Sequence, residues 1–362
     1  RLLARQLARI MRGALVDDSG LSPLLVPLKQ SKGSDQAPLF LIASAGGTTG
    51  AYDKLADAVD LGRDVIGIRD PFLWGEREPT EGFQQWVNRY IDAIRSRQEH
   101  GPYFLGAYSS AGCLGLEIAR QLQERGELVQ ILVLIDPLAL DRANRSRFGW
   151  WALRTTYSGR LLRCATRIAG WFRRYLPKGS APVNDHAISQ EDYRQMSRNQ
   201  LSSKADLKLL TSLFELNTGL PFSLSESDFS GRSPDQYIDV LKTRFSDLMP
   251  DVDQDAVERI VVQYPLQVRA QHAFRIPKYE GATVLFEPAS QYSGLVSALL
   301  KPYISGLQTM IIKVGAPEPG SRSAELGFGA LEPHYRCMRD DEFVDSLAIA
   351  LKTLLEVGKP AA

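Results

Sequence analysis

The stretch GAYSSAGCLG, residues 106–115, sets Ser109 between the apolar run YFLGAY and a segment with helical spacing. A side chain at so sharp a strand-to-helix turn sits on strained backbone and projects from the C-terminal edge of the sheet. Strand and helix pass so closely there that the positions two before and two after the serine must be small. Those positions are Ala107 and Ala111, with Gly112 next, so the small-residue frame fits Ser109; Ser110 is the less well framed alternative. The residue types suit covalent acyl chemistry, in which a serine oxygen attacks an acyl carbon while backbone N–H groups hold the oxyanion. Ser110 would offer one such N–H, and the glycine-rich loop SAGGTTG a second at Ala45 or Gly46.

A serine hydroxyl is a poor nucleophile until a base takes its proton and a carboxylate orients that base. The chain has four histidines, which keeps the search short. His100 precedes GPYF, on the far edge of the sheet from the corner. His186 and His272 lie in polar or helical surroundings and read as ordinary surface or structural residues. His334 falls after the last strand and before the last helix, the point at which such a topology delivers its base. Two carboxylates compete as the orienting acid. Asp136 ends VLVLID directly after the helix that follows Ser109, and Glu287 ends the next core strand, VLFEP. Both keep the order nucleophile, acid, histidine, and an aspartate before Pro137 also has a plain role as a turn former. The residues alone leave both open.

The elements that must position these groups alternate strand and helix. PLFLIAS (38–44), DVIGIRD (64–70), YFLGAYS (103–109) and VQILVLID (129–136) read as strands. AYDKLADAV, FQQWVNRYIDAIRSRQ (83–98) and GCLGLEIARQLQERG read as helices, the last stopping at Gly126. The pattern breaks at about residue 141 and resumes with ATVLFEP (282–288), a helix around GLVSALLKPYI, the strand QTMIIKV (308–314) and a terminal helix. Strands this apolar imply a mostly parallel sheet covered on both faces. The expected organisation is an N-terminal helix and connector over 1–37 and an α/β core over 38–140. A helical insertion over 141–272 follows, then the rest of the core over 273–362.

Composition is that of an ordinary globular chain, with 44% hydrophobic and 23% charged residues, and the formal net charge of +1 gives no reason to expect nucleic acid. Three cysteines without paired spacing suggest neither a disulfide framework nor a metal site, and a reducing, cytoplasmic setting is expected. No apolar run approaches a membrane span, and a membrane partner is not expected. The opening RLLARQLARI has helical spacing and no initiator Met, which suggests a piece excised from a longer polypeptide or a chain trimmed at its start. That helix is either a linker or a docking element, so a homodimer stays open.

The block GPYFLGAYSSAGCLGLEIARQLQERGELVQILVLIDP resembles the central block of the thioesterase domains that end modular polyketide and nonribosomal peptide synthases. DVIGIRDPFLWG and LFLIASAGGTTGAYDKLA are similar to the matching segments of fungal-type releasing domains, and VVQYPLQVRAQHAFRIPKYEGATVLFEP to their return strand. The resemblance covers about 38–140 and 260–290. It implies an α/β-hydrolase fold with a large helical lid. It further implies Ser109 as acyl acceptor, His334 as base, Asp136 as acid, and the Ala45 and Ser110 N–H groups as oxyanion donors. The implied substrate is an acyl chain presented on the 4'-phosphopantetheine arm of an acyl or peptidyl carrier protein, with no cofactor or metal of the domain's own. Departures are plain. Ala43 and Ser44 stand where the family often has His-Pro, the elbow glycines are alanines, and the base segment reads Glu332-Pro333-His334-Tyr335.

Within the insertion, residues 142–178 hold ten Arg or Lys and no acid, interleaved with Trp150, Trp151, Trp171 and Phe172. A solvated basic face, a surface for an acidic carrier through Arg142, Arg145 and Arg147, and a membrane-surface helix all fit that pattern. The functional expectation is release of a carrier-bound polyketide or peptidyl chain by hydrolysis or cyclisation. Its rivals are a carrier-binding domain with weakened catalysis and a stand-alone lipase or esterase.

Overall fold

The computed structural model describes residues 22–44, 47–71, 83–137, 274–290, 293–315 and 336–357, with isolated positions between 228 and 243. Apart from those positions, the expected insertion over 141–272 lies outside the described residues, as do Ala45, His334 and the Arg142, Arg145 and Arg147 group.

In chain order the strands are β1 (Leu25–Lys29), β2 (Leu39–Ile42), β3 (Val65–Ile68), β4 (Tyr103–Tyr108), β5 (Val129–Ile135), β6 (Thr283–Pro288) and β7 (Leu307–Ile312). The helices among the described residues are α1 (Asp53–Ala58), α2 (Phe83–Arg97), α3 (Gly112–Glu124), α4 (Leu295–Leu300) and α5 (Asp341–Val357). Together the strands form one seven-stranded sheet in the order β1-β3-β2-β4-β5-β6-β7. Every pairing is parallel except β1 with β3. Residues 25–29, which the sequence suggests belong to an extended connector, are instead an edge strand. Val26 and Leu28 are buried on alternate positions, the spacing of a half-buried strand.

Alternation within β2 to β6 splits the core into two layers. Phe40, Ile42, Leu105, Ala107, Leu132 and Leu134 face α2 and α3 on one side of the sheet. Leu39, Leu41, Phe104, Tyr108, Val133, Ile135 and Phe286 face α1 and α5 on the other. The chain leaving β2 thus turns to one face and the chain leaving β4 to the opposite face. In open α/β sheets such a switch point opens a crevice beyond the strands' carboxyl ends. Ser109 stands at this one.

Candidate active site

Ser109 follows the last residue of β4 and opens a 3-10 turn, Ser109–Ala111, that runs into α3. Its φ is +57°, in the left-handed region that a non-glycine residue rarely adopts. The turn is possible because α3 packs tightly on the strand ends. A Cβ on Gly112 would lie 2.5 Å from the Pro137 Cβ, and one on Gly115 2.8 Å from the Ala107 Cβ. The alanine two places before the serine is therefore tolerated because a glycine one helical turn into α3 faces it. The sequence frame of Ala107 and Ala111 omits that compensation.

Tyr52 braces the same corner from below. Its hydroxyl donates to the Ile42 carbonyl at 2.7 Å and accepts the Tyr108 N–H at 2.9 Å. The β2–β4 ladder ends at the Ile42–Ala107 pair, so the phenol supplies the partner that Tyr108 would otherwise lack. Full burial pushes the Tyr52 hydroxyl pKa up and keeps it a neutral donor. Nothing in the spacing of GGTTGAY pointed to this tyrosine.

Both candidate acids sit at the same edge. Ile135 pairs with Tyr108 on one side and Phe286 on the other, so Ser109, Asp136 and Glu287 follow each other across three adjacent strands. Asp136 also has left-handed backbone, φ +38°, and its N–H donates to the Phe286 carbonyl at 2.7 Å. Glu287 is 2% exposed, and its carboxylate is turned toward α4. One oxygen accepts the Gly294 N–H at 3.0 Å and the other the Val296 N–H at 3.2 Å. Gly294, the residue before α4, has no side chain to cap the helix, and Glu287 does so in its place. Burial first, and the Asp136 charge after the Gly294 bond, raise the Glu287 pKa, while the backbone N–H groups oppose the rise. A carboxylate engaged by a helix start is a poor orienter for an imidazole. Of the two acids that the residues left open, Glu287 is the one whose carboxylate is committed to the start of α4.

The chain after β2 supplies the other wall. Ala43 donates to the Ile68 carbonyl at 2.9 Å and Asp70 to the Gly47 carbonyl at 3.0 Å, which pins both sides of the loop 43–47 against β3. Because β2 is hydrogen-bonded to β4, the loop leaves the sheet beside Ser109. Ser110, the other expected donor, is 6% exposed within the 3-10 turn.

A third contributor is Cys337, which sequence reasoning passed over. It is completely buried at the head of a 3-10 turn, Cys337–Arg339. Burial pushes its thiol pKa up, the Asp136 charge adds to the rise, and a hydrogen bond with the Tyr108 side chain opposes it. The start of the last helical segment thus meets the residue before Ser109 and lies within electrostatic reach of Asp136. His100 lies elsewhere: it is exposed before β4, 3.0 Å from Glu127, at the opposite edge of the sheet.

A mostly parallel sheet with a left-handed serine at the turn after its central strand defines the α/β-hydrolase class of fold. Residues 37–148, the part of the chain that carries β2 to β5, Ser109 and Asp136, match the family model described as the thioesterase domain. The non-reducing polyketide synthase ntnG of Nectria sp is 35% identical over 119 residues, 32% of this chain and 6% of that protein. The polyketide synthase PksR of Bacillus subtilis is 33% identical over 120 residues, 33% of this chain and 5% of that protein. The chain therefore matches only a small fraction of the length of these relatives. Among solved structures, the four-domain nonribosomal peptide synthetase holo-AB3403 superposes with TM-score 0.61 at 18% identity, over 93% of this chain and 20% of that one. The NocB thioesterase domain from the nocardicin cluster superposes with TM-score 0.51 at 16% identity, over 92% of this chain and 100% of that one. At these identities the likeness is one of fold. No helix among the described residues is long and apolar enough to cross a membrane.

Proposed function

We propose that this chain is a serine thioesterase that releases an acyl chain from the pantetheine arm of a carrier protein. The observation that carries the reading is Ser109 on left-handed backbone beside Asp136, inside the stretch that matches the thioesterase domain. Ser109 Oγ attacks the thioester carbonyl, the backbone N–H groups of Ser110 and Ala45 hold the oxyanion, and the pantetheine thiol leaves with a proton returned by His334. His334 then takes a proton from water, or from a hydroxyl, amine or carbon nucleophile of the same acyl chain. Attack on the Ser109 ester gives the free acid or a ring. Asp136 orients the imidazole throughout.

Support for His334 comes from its near neighbour. Three residues of chain span at most about 10 Å, and Cys337, three positions on, is hydrogen-bonded with the Tyr108 side chain and feels the Asp136 charge. The partner so implied is a carrier protein within a polyketide or nonribosomal peptide assembly, met in part by the basic group Arg142, Arg145 and Arg147. The chemistry asks for no cofactor of the domain's own.

Incubation with a synthetic acyl-pantetheine thioester, followed by intact-mass measurement, tests the reading. An acyl adduct on the unchanged chain that is missing from Ser109→Ala supports it. Equal labelling of the two chains defeats it, and binding of a carrier protein without any adduct would leave a docking domain.

A further inference from the structure

The β2–β4 ladder has Ile42 and Ala107 as its last pair. In a parallel ladder the next bond beyond such a pair runs from the following N–H to the carbonyl of the paired residue, here from Tyr108 to Ile42. Tyr52 stands in the place of that bond. Its hydroxyl accepts the Tyr108 N–H at 2.9 Å and donates to the Ile42 carbonyl at 2.7 Å. Two strands joined through an intervening oxygen lie farther apart than two strands joined directly. On its other side β2 keeps the direct bond, from the Ala43 N–H to the Ile68 carbonyl at 2.9 Å. The sheet is thus spread on the Ser109 side of β2 and closed on the β3 side.

The spacer is itself fixed. Tyr52 is fully buried, its N–H donates to the Thr49 carbonyl at 3.0 Å, and it ends the 3-10 turn Gly50–Tyr52 that leads into α1. Arg339 Nη2 donates to the Gly50 carbonyl at 3.2 Å, and Lys54 Nζ donates to the Arg339 carbonyl at 2.6 Å. That turn is therefore tied to the segment before α5. Tyr108 is held a second time through its side chain, which is hydrogen-bonded with Cys337.

We propose that Tyr52 is a positioning residue for the nucleophile: its hydroxyl, inserted between the Tyr108 N–H and the Ile42 carbonyl, holds the end of β4 off β2 and sets Ser109 where an acyl carbonyl can enter beside it. The proposal rests on the reading of Ser109 as the acyl acceptor. A hydroxyl needed only to satisfy the Tyr108 N–H would be dispensable, because that N–H can turn to the Ile42 carbonyl once the oxygen is gone. What the oxygen alone supplies is the separation.

The test compares the 362-residue chain with Tyr52→Phe, Tyr90→Phe and Ser109→Ala. The rate of labelling by a fluorophosphonate, the kcat and KM for an acyl N-acetylcysteamine thioester and the thermal midpoint are read for each. Tyr52→Phe keeps the ring and lets the ladder close by one bond, which draws Ser109 toward β2. Misplacing a catalytic group by about 1 Å costs on the order of 100-fold. The variant is accordingly expected to label and turn over roughly 10- to 100-fold more slowly, with KM and thermal midpoint little changed. Tyr90→Phe removes another fully buried phenol oxygen, one with no hydrogen-bond partner among the described residues, and should keep the full rate. para-Aminophenylalanine in place of Tyr52 returns a polar group to the gap and should recover most of the rate; it serves also if Tyr52→Phe does not fold. Full labelling rate in folded Tyr52→Phe, equal slowing in Tyr90→Phe, or no recovery with the amine would overturn the spacer alone. Equal labelling of the unchanged chain and Ser109→Ala would overturn the reading of Ser109 and the spacer with it.

Discussion

Ser109 and Asp136 are neighbours across the sheet, each the first residue past one register pair, Tyr108 with Ile135, and each on left-handed backbone at φ +57° and +38°. Holding a non-glycine residue in that region costs on the order of 1–3 kcal/mol. Two such residues side by side are kept only where the surrounding packing determines them. Here that packing is the Gly112–Pro137 and Gly115–Ala107 contacts, with Tyr52 beneath. Both side chains thereby leave from the ends of core strands, and their relative position is as rigid as the ladder between β4 and β5.

Ser109→Ala should abolish fluorophosphonate labelling and lower thioester turnover by about 10⁴- to 10⁶-fold, as loss of a serine nucleophile commonly does. Ser110→Ala should still be labelled, because only its backbone N–H enters the chemistry. Peptide mapping of the labelled chain separates the two serines.

The acid assignment predicts unequal effects of two similar changes. Asp136→Asn should reduce kcat by roughly 10⁴-fold through the wrong imidazole tautomer. Glu287→Gln should leave far more activity, since the Glu287 carboxylate faces the Gly294 and Val296 N–H groups. Steady-state kinetics of the pair decide it, and the reverse ranking would move the role to Glu287.

Glu287 also carries a pH signature in stability. Its folded pKa is raised, chiefly by burial, so the folded state holds its proton more tightly than the unfolded chain does. Below the unfolded value, about 4.3 for glutamate, the group is neutral in both states and imposes no charge penalty. As pH rises from there through the folded value, stability is lost. Urea unfolding across that window should show the unchanged chain losing ground to Glu287→Gln, and a difference independent of pH would contradict the stated environment.

Gly115→Ala sets two effects against each other. Alanine improves a helix interior by about 1 kcal/mol, but its Cβ would stand 2.8 Å from the Ala107 Cβ, an atom fixed to the strand that no rotamer can move. Overpacking of this kind costs about 1–3 kcal/mol, so a net loss is expected in denaturant unfolding. Adding Ala107→Gly should recover most of it, and simple additivity of the two changes would show that the contact is not what matters.

Much of this arrangement is legible in local pattern. The apolar runs that become β2 to β6, the helical spacing of residues 83–98 and the small residues around Ser109 all follow from rules that act within a few residues. The strand at 25–29 was hidden, because Pro27 and the polar stretch after it resemble a connector. Only the antiparallel pairing with β3 makes it part of the sheet. Gly115 looked like an ordinary helix position until its distance to Ala107 gave it a reason.

The amino-acid order alone determined the alternation of elements, the corner that holds a serine and the set of ionisable groups able to serve it, since these depend on neighbours along the chain. Tertiary structure committed the Glu287 carboxylate to the start of α4, introduced Tyr52 and Cys337 beside Ser109, and joined Gly115 to Ala107. Those choices depend on which strand lies beside which and on where a side chain's hydrogen bonds are already committed. Such facts come into being only when distant segments meet.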